Sequence, residues 1–108
     1  MDTFERRGGD RVSVMVDVTL EVDGKLVHAK SLDLSGSGMG VWAPHSIPGL
    51  HRRIDVCVDI DGAEMKLRGE VVREFSSDGG SVWGIAFRDL DRRTASRITN
   101  CVARATIN

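Results

Sequence analysis

The 108-residue sequence predicts a mainly β fold in which six short antiparallel strands close on one another and a single α-helix follows at the C-terminus. Two observations carry that prediction. Apolar residues recur at every second position in segments separated by Asp-Gly pairs and glycine clusters, which is the period of a strand with one buried face. The last segment changes to helical spacing. Short strands in this number close into a barrel or a two-sheet sandwich, because closure removes edges that would otherwise pair with other chains.

The first strand is read from Val12, Val14, Val16, Val18, Leu20 and Val22. Asp23-Gly24 is a tight-turn signal, and Lys25 to Leu34 is the returning strand of a hairpin. Gly36, Gly38 and Gly40 predict a bend or bulge before a short strand at Val41-Trp42, which Pro44 and Pro48-Gly49 end. Ile54, Val56, Val58 and Ile60 alternate with Asp55, Cys57 and Asp59, and Asp61-Gly62 turns this strand into Glu64 to Glu74. Ser76 to Gly80 reads as a polar loop. Ser81 to Phe87 is the last strand, with Trp83, Ile85 and Phe87 on one side. Leu90, Thr94, Ile98, Cys101, Val102 and Ala105 then share a helix face, with Asp89 or Asp91 as the N-cap. Arg92, Arg93, Arg97 and Arg104 fall on its surface. Trp42 is expected in the core.

The length fits one domain, and the composition is that of an ordinary globular protein. A net charge of −1 excludes a general binder of nucleic-acid polymers or anionic membranes, which carries a basic surplus. No apolar run is long enough to span a bilayer and no signal-peptide core is visible, so a cytoplasmic location is expected. Cys57 and Cys101 lack C-x-x-C spacing and read as small buried hydrophobes. His28, His45 and His51 have no metal-ligand spacing, and no cofactor is called for.

Charge is concentrated instead in Arg6-Arg7-Gly8-Gly9-Asp10-Arg11. Guanidinium forks suit phosphate oxygens and the O6/N7 edge of guanine. A complementary motif, Asp33-Leu34-Ser35-Gly36-Ser37-Gly38, lies where the second strand runs out. Asp33 can accept from guanine N1–H and N2–H, Ser35 can donate or accept, and Gly38 admits close backbone approach. Taken singly, the first motif is a solvated charge cluster, and the second is a polar turn with Asx-type bonds and a glycine at positive φ. Nucleotide chemistry is the weakest reading. Ser35 has no paired histidine motif, and neither a Gly-x-x-x-x-Gly-Lys loop nor a carboxylate cluster for a metal is evident.

The ordered pair of motifs resembles that of the bacterial PilZ domains, which bind the second messenger cyclic di-GMP through Arg-x-x-x-Arg and Asp/Asn-x-Ser-x-x-Gly. Arg7 and Arg11 match the first motif, and Asp33, Ser35 and Gly38 the second. The Val-rich strand, Gly-Met-Gly-Val, Leu-Arg-Gly-Glu-Val-Val-Arg and Trp-Gly-Ile-Ala-Phe extend the likeness over nearly the whole chain. The resemblance implies a flexible arm at residues 1–12 and, over 12–108, a six-stranded antiparallel β-barrel with a C-terminal α-helix.

It also implies that Arg7 and Arg11 clamp phosphate and guanine, while Asp33, Ser35 and Gly38 form the barrel half of the pocket. Arg6, just before the motif, implies two stacked ligand molecules per chain. Trp83 has two equal readings, at the pocket rim or in the core. The sequence departs from the family in Gly8, Gly9 and Asp10. Two glycines raise the entropy lost on ordering the arm, and Asp10 can pair with an arginine, so micromolar affinity is expected. The implied function is a receptor that signals through a protein target. The alternative is a PilZ-like interaction module that binds protein and no nucleotide.

Overall fold

The computed structural model describes residues 13, 16–44, 49–60, 62–77 and 79–107. Six strands, β1 (Asp17–Val22), β2 (Lys25–Leu34), β3 (Gly38–Ala43), β4 (Arg53–Ile60), β5 (Ala63–Ser77) and β6 (Gly80–Arg88), precede the helix α1 (Arg92–Ile107). They form a closed antiparallel barrel in the order β1-β2-β3-β6-β5-β4. Closure comes from β1 against β4, with Leu20 opposite Val56.

The alternation seen in the sequence places one set of side chains inside. Val18, Leu20 and Val22 of β1, Met39 and Val41 of β3, Val56 and Val58 of β4 and Trp83 and Ile85 of β6 are all buried. The hairpin at Asp23-Gly24 has both residues at positive φ, 53° and 80°, as a two-residue turn matched to the strand twist requires. The helix starts where Asp91 Oδ1 accepts the Thr94 N–H at 2.7 Å, so Asp91 is the N-cap. Ile98 and Val102 then lie against the core, on the side facing away from the exposed Arg93, Arg97 and Arg104.

Four expectations are corrected. The predicted polar loop at 76–80 is a tight turn, because β5 runs to Ser77 and β6 begins at Gly80. The irregularity expected in the glycines of β3 lies in its neighbour β2, and β3 starts early, at Gly38. Trp42 is outside the core. It is half-buried on the outer face, where its indole N–H donates to the Ser77 carbonyl at 3.0 Å. Its ring occupies the space that a side chain at Gly80 would need, with ring carbons 2.7 and 2.8 Å from the Cβ position. Cys57 also points outward and is only half-buried. Its thiol donates to Glu64 Oε2 at 3.1 Å, and that bond holds the thiol above its usual range.

Candidate functional site

Two β-bulges build the candidate site. In β2, Ala29 and Ser31 point inward, and strict alternation would send Asp33 inward as well. Leu32 is an extra residue, since Ser31 pairs with Val41 while Asp33 pairs with the next β3 residue, Gly40. The bulge flips the parity, so Leu34 becomes the buried residue and the Asp33 carboxylate reaches the outer face. In β5 the same device recurs. Met65, Leu67 and Val71 point inward, Val72 is the extra residue, and Arg73 emerges outward opposite Gly84.

The two re-aimed residues share one row across four strands. Asp33 pairs with Gly40, Gly40 with Gly84, and Gly84 with Arg73. Each charged side chain leans over its glycine. Asp33 Oδ1 accepts the Gly40 N–H at 2.7 Å and stands 3.0 Å from where a Gly40 Cβ would be. Arg73 Cβ and Nε lie 3.3 and 3.4 Å from the Cβ position of Gly84. The two glycines thus give an acid and a base room to lie close over the sheet on one outer face. Beside them lies an apolar row in which Val82 pairs with both Trp42 and Phe75, and Phe75 is 56% exposed. On the other side a recess of about 90 Å³ is lined by Ser37, Gly38, Val72, Arg73, Gly84 and Ala86, among others.

The second motif serves the turn into β3. Ser35 is buried, its N–H donates to the Gly38 carbonyl at 2.9 Å, and its hydroxyl lies 3.3 Å from that same oxygen and from the Ser37 N–H. Ser37 in turn holds β6 through its carbonyl, which accepts the Phe87 N–H at 2.9 Å. Gly38 is absent from the positive-φ residues. The reason for glycine there is the Ile85 backbone carbonyl, into which a Cβ would run.

The structure therefore brings Asp33 and Gly38 to one outer surface and puts Ser35 beneath it. Trp83 is corrected from the rim reading to the core one: its side chain is 1% exposed and faces the barrel interior. Arg6, Arg7 and Arg11 lie outside the described residues, as does the proposed arm at 1–12. Arg73 is the residue that sequence reasoning missed. Its signal was present, for an arginine falling where alternation calls for an inward residue marks a break in the period.

A larger depression of about 350 Å³ lies on another part of the barrel, among Glu21, Asp55, Arg53, Arg68 and Arg88. Its charges are of mixed sign, and none of the described motif residues, Asp33, Ser35 and Gly38, lines it. Among the described residues no group of histidine, cysteine or acidic side chains is arranged to hold a metal, and no helix is long and apolar enough to cross a membrane.

A small closed antiparallel barrel with one C-terminal helix, carrying Asp33, Arg73 and two glycines in one row on its outer wall, defines the class of domain. The model of the PilZ domain matches residues 5–104, and the chain belongs to that family. Similar solved structures include the Bacillus subtilis inhibitor of motility MotI/DgrA, at TM-score 0.81 and 11% identity, covering 91% of this chain and 50% of that one. The chain thus spans half the length of the Bacillus protein. The PilZ domain of Escherichia coli YcgR, solved with c-di-GMP, superposes at TM-score 0.77 with 13% identity over 90% of this chain and 88% of that one. The PilZ domain of CeSA from a cellulose-synthesizing bacterium follows at 0.68 and 17%, over 89% and 97% of the two chains. No curated protein matches the sequence.

Proposed function

We propose that this domain is a cyclic di-GMP receptor whose site is the outer wall of β2, β3, β6 and β5, completed by the N-terminal arginines. The observation that carries the reading is the row Asp33–Gly40–Gly84–Arg73, with a carboxylate and a guanidinium at opposite ends of a glycine floor. The ligand presents guanine N–H donors and phosphate oxygens together. Asp33 accepts from the former, and arginine binds the latter through charge-assisted bonds. In this reading Arg7 and Arg11 clamp the ligand from the arm, and Arg73 supplies a third fork from the barrel. Ser35 acts through the turn it holds, and Gly38 keeps β3 close to β6. Arg6 stacks on a second ligand molecule, giving two per chain. No catalytic step is assigned. Ordering of the arm changes the surface offered to a protein target.

Support comes from membership of the PilZ family and from the likeness of fold to YcgR, which was solved with this ligand. Isothermal titration with cyclic di-GMP, with GTP and cyclic di-AMP as controls, tests the reading. Saturable heat for cyclic di-GMP alone, lost in Arg7→Ala and Asp33→Ala, is the expected result. Absence of heat and of any thermal shift at high ligand concentration overturns it and leaves a protein-binding module.

A further inference from the structure

The bulge that turns Arg73 outward also inverts the two residues after it. Met65, Leu67 and Val71 face the core, and an unbroken strand would carry Phe75 inward with them and leave Glu74 in solvent. The structure does the opposite. Glu74 pairs with the core residue Trp83 and is half-buried, whereas Phe75 pairs with Val82 on the outer wall and is 56% exposed. A phenyl ring is thus placed in water and an acid drawn toward the core, a local conflict of the kind that functional surfaces retain.

The ring does not stand alone. Phe75, Val82 and Trp42 form one row across β5, β6 and β3, which ends at Lys30, whose ammonium is paired with Asp17 at 2.9 Å. This row runs beside Arg73, Gly84 and Gly40, two residues or about 7 Å away along each strand. It is also held in place. The Trp42 indole N–H donates to the carbonyl of Ser77, two residues beyond Phe75, and its ring fills the space beside Gly80, across the same hairpin turn.

We infer that Phe75 is a base-stacking residue of the ligand wall, taking the face of one guanine while Asp33, at the other end of the charged row, reads the edge of the second. The inference rests on the cyclic di-GMP reading above and deepens it by dividing the two bases between the ends of the site. Arg73 is the neighbour of Phe75 on the outer face of β5, so a phosphate held by the guanidinium brings its nucleoside to the phenyl ring. Every base has a π-face, so stacking adds affinity without choosing the base, and the choice of guanine falls to Asp33. A protein partner fits less well. Three side chains, two of them already half-buried, cover far less than the roughly 800 Å² per partner of a stable interface.

The test is isothermal titration of the full chain with cyclic di-GMP, in the parent and in Phe75→Ala, Phe75→Leu and Phe75→Trp. Because the ring is exposed, the three variants should keep the circular dichroism and melting behaviour of the parent. Phe75→Ala is expected to weaken binding roughly fivefold or more and Phe75→Leu severalfold, whereas Phe75→Trp, which keeps a π-face, stays within about twofold. Leu26→Ala removes a comparably exposed apolar side chain from β2, where it pairs with Glu21 away from this wall, and should leave affinity unchanged. In a Trp83→Phe background Trp42 is the remaining tryptophan, and a guanine seated in its row should quench its emission. That quenching should diminish in Phe75→Ala.

Binding by Phe75→Ala within twofold of the parent, binding by Phe75→Leu as tight as the parent's, or an equal loss in Leu26→Ala overturns the inference and leaves the receptor reading in place. If Phe75→Ala instead abolishes a concentration-dependent dimer in sedimentation with ligand affinity unchanged, the ring belongs to a contact between copies and the inference falls. No heat from the parent itself removes the receptor reading and this inference with it.

Discussion

Asp33 and Arg73 stand at opposite ends of one cross-strand row, each turned out of the barrel by a single extra residue in its strand. Neither position is outward by simple alternation, so the two bulges have a common product, an acid and a base facing the same pair of glycines. Bulges re-aim side chains at the cost of ladder regularity, and here both do so on one wall. Arg73 has no salt bridge among the described residues. Arg73→Ala is therefore expected to leave thermal stability nearly unchanged while weakening cyclic di-GMP binding tenfold or more, since a charge-assisted bond contributes about 1.5–3 kcal/mol. Calorimetric titration of the variant checks this, and unchanged affinity removes Arg73 from the site.

The glycines of this wall separate by what a methyl group would meet. At Gly38 a Cβ runs into the Ile85 carbonyl, which is backbone and cannot turn aside. Gly38→Ala should destabilise the barrel by roughly 1–3 kcal/mol in chemical denaturation, the usual cost of overpacking. At Gly40 the obstacle is Asp33 Oδ1, at 3.0 Å. Gly40→Ala should instead shift the carboxylate and lower ligand affinity severalfold with little loss of stability. Denaturation and titration of the two variants side by side distinguish a folding glycine from a site glycine.

Most of the barrel was legible because alternation and Asp-Gly turns are local signals, and Lys25–Leu34 occurs as a strand within the bounds expected of it. The terminal helix was legible from its change of period and its acidic cap. Arg73 was not, because bulges leave no residue signature of their own. Only an arginine out of phase with Met65, Leu67 and Val71 betrays the one in β5. Trp42 misled for a related reason, and Trp83 was left open between rim and core. Large aromatics mark a packed face, but which face depends on register. Trp83 falls in phase with Ile85 and Phe87, and Trp42 falls between Val41 and Ala43, both of which are buried.

Two surface carboxylates, Asp91 and Glu70, contribute to the acid sensitivity of stability. Asp91 is held below its ordinary value of 3.8, first by the backbone N–H of Thr94. Glu70 is held below 4.5 by its hydrogen bond to His51 and then by that to Arg88, whose Nε lies 3.1 Å away. A depressed folded-state pKa means that the unfolded chain takes up the proton first as pH falls. The contribution of each is complete above its unfolded value and is lost as pH drops through the folded one. Melting temperature should therefore be insensitive to these groups near neutrality and decline below about pH 4. Asp91→Ala should lower it by a few degrees at pH 7 and flatten the acid decline, read by circular dichroism at a series of pH values.

Trp83 supplies the sharpest separation of core from site. Its indole is buried among apolar side chains and its N–H has no hydrogen-bond partner among the described residues, an arrangement that costs stability rather than adding to it. Trp83→Phe removes the unsatisfied donor while keeping an aromatic ring, so the loss of ring volume is partly offset. Trp83→Ala opens a cavity and should cost about 3–5 kcal/mol. Neither position nor burial puts the ring against a ligand on the outer wall. Trp83→Phe should thus bind cyclic di-GMP within twofold of the parent. In a Trp42→Phe background the remaining tryptophan emission should resist iodide quenching. A large loss of affinity in Trp83→Phe, or ready quenching, would return the residue to the rim of the pocket.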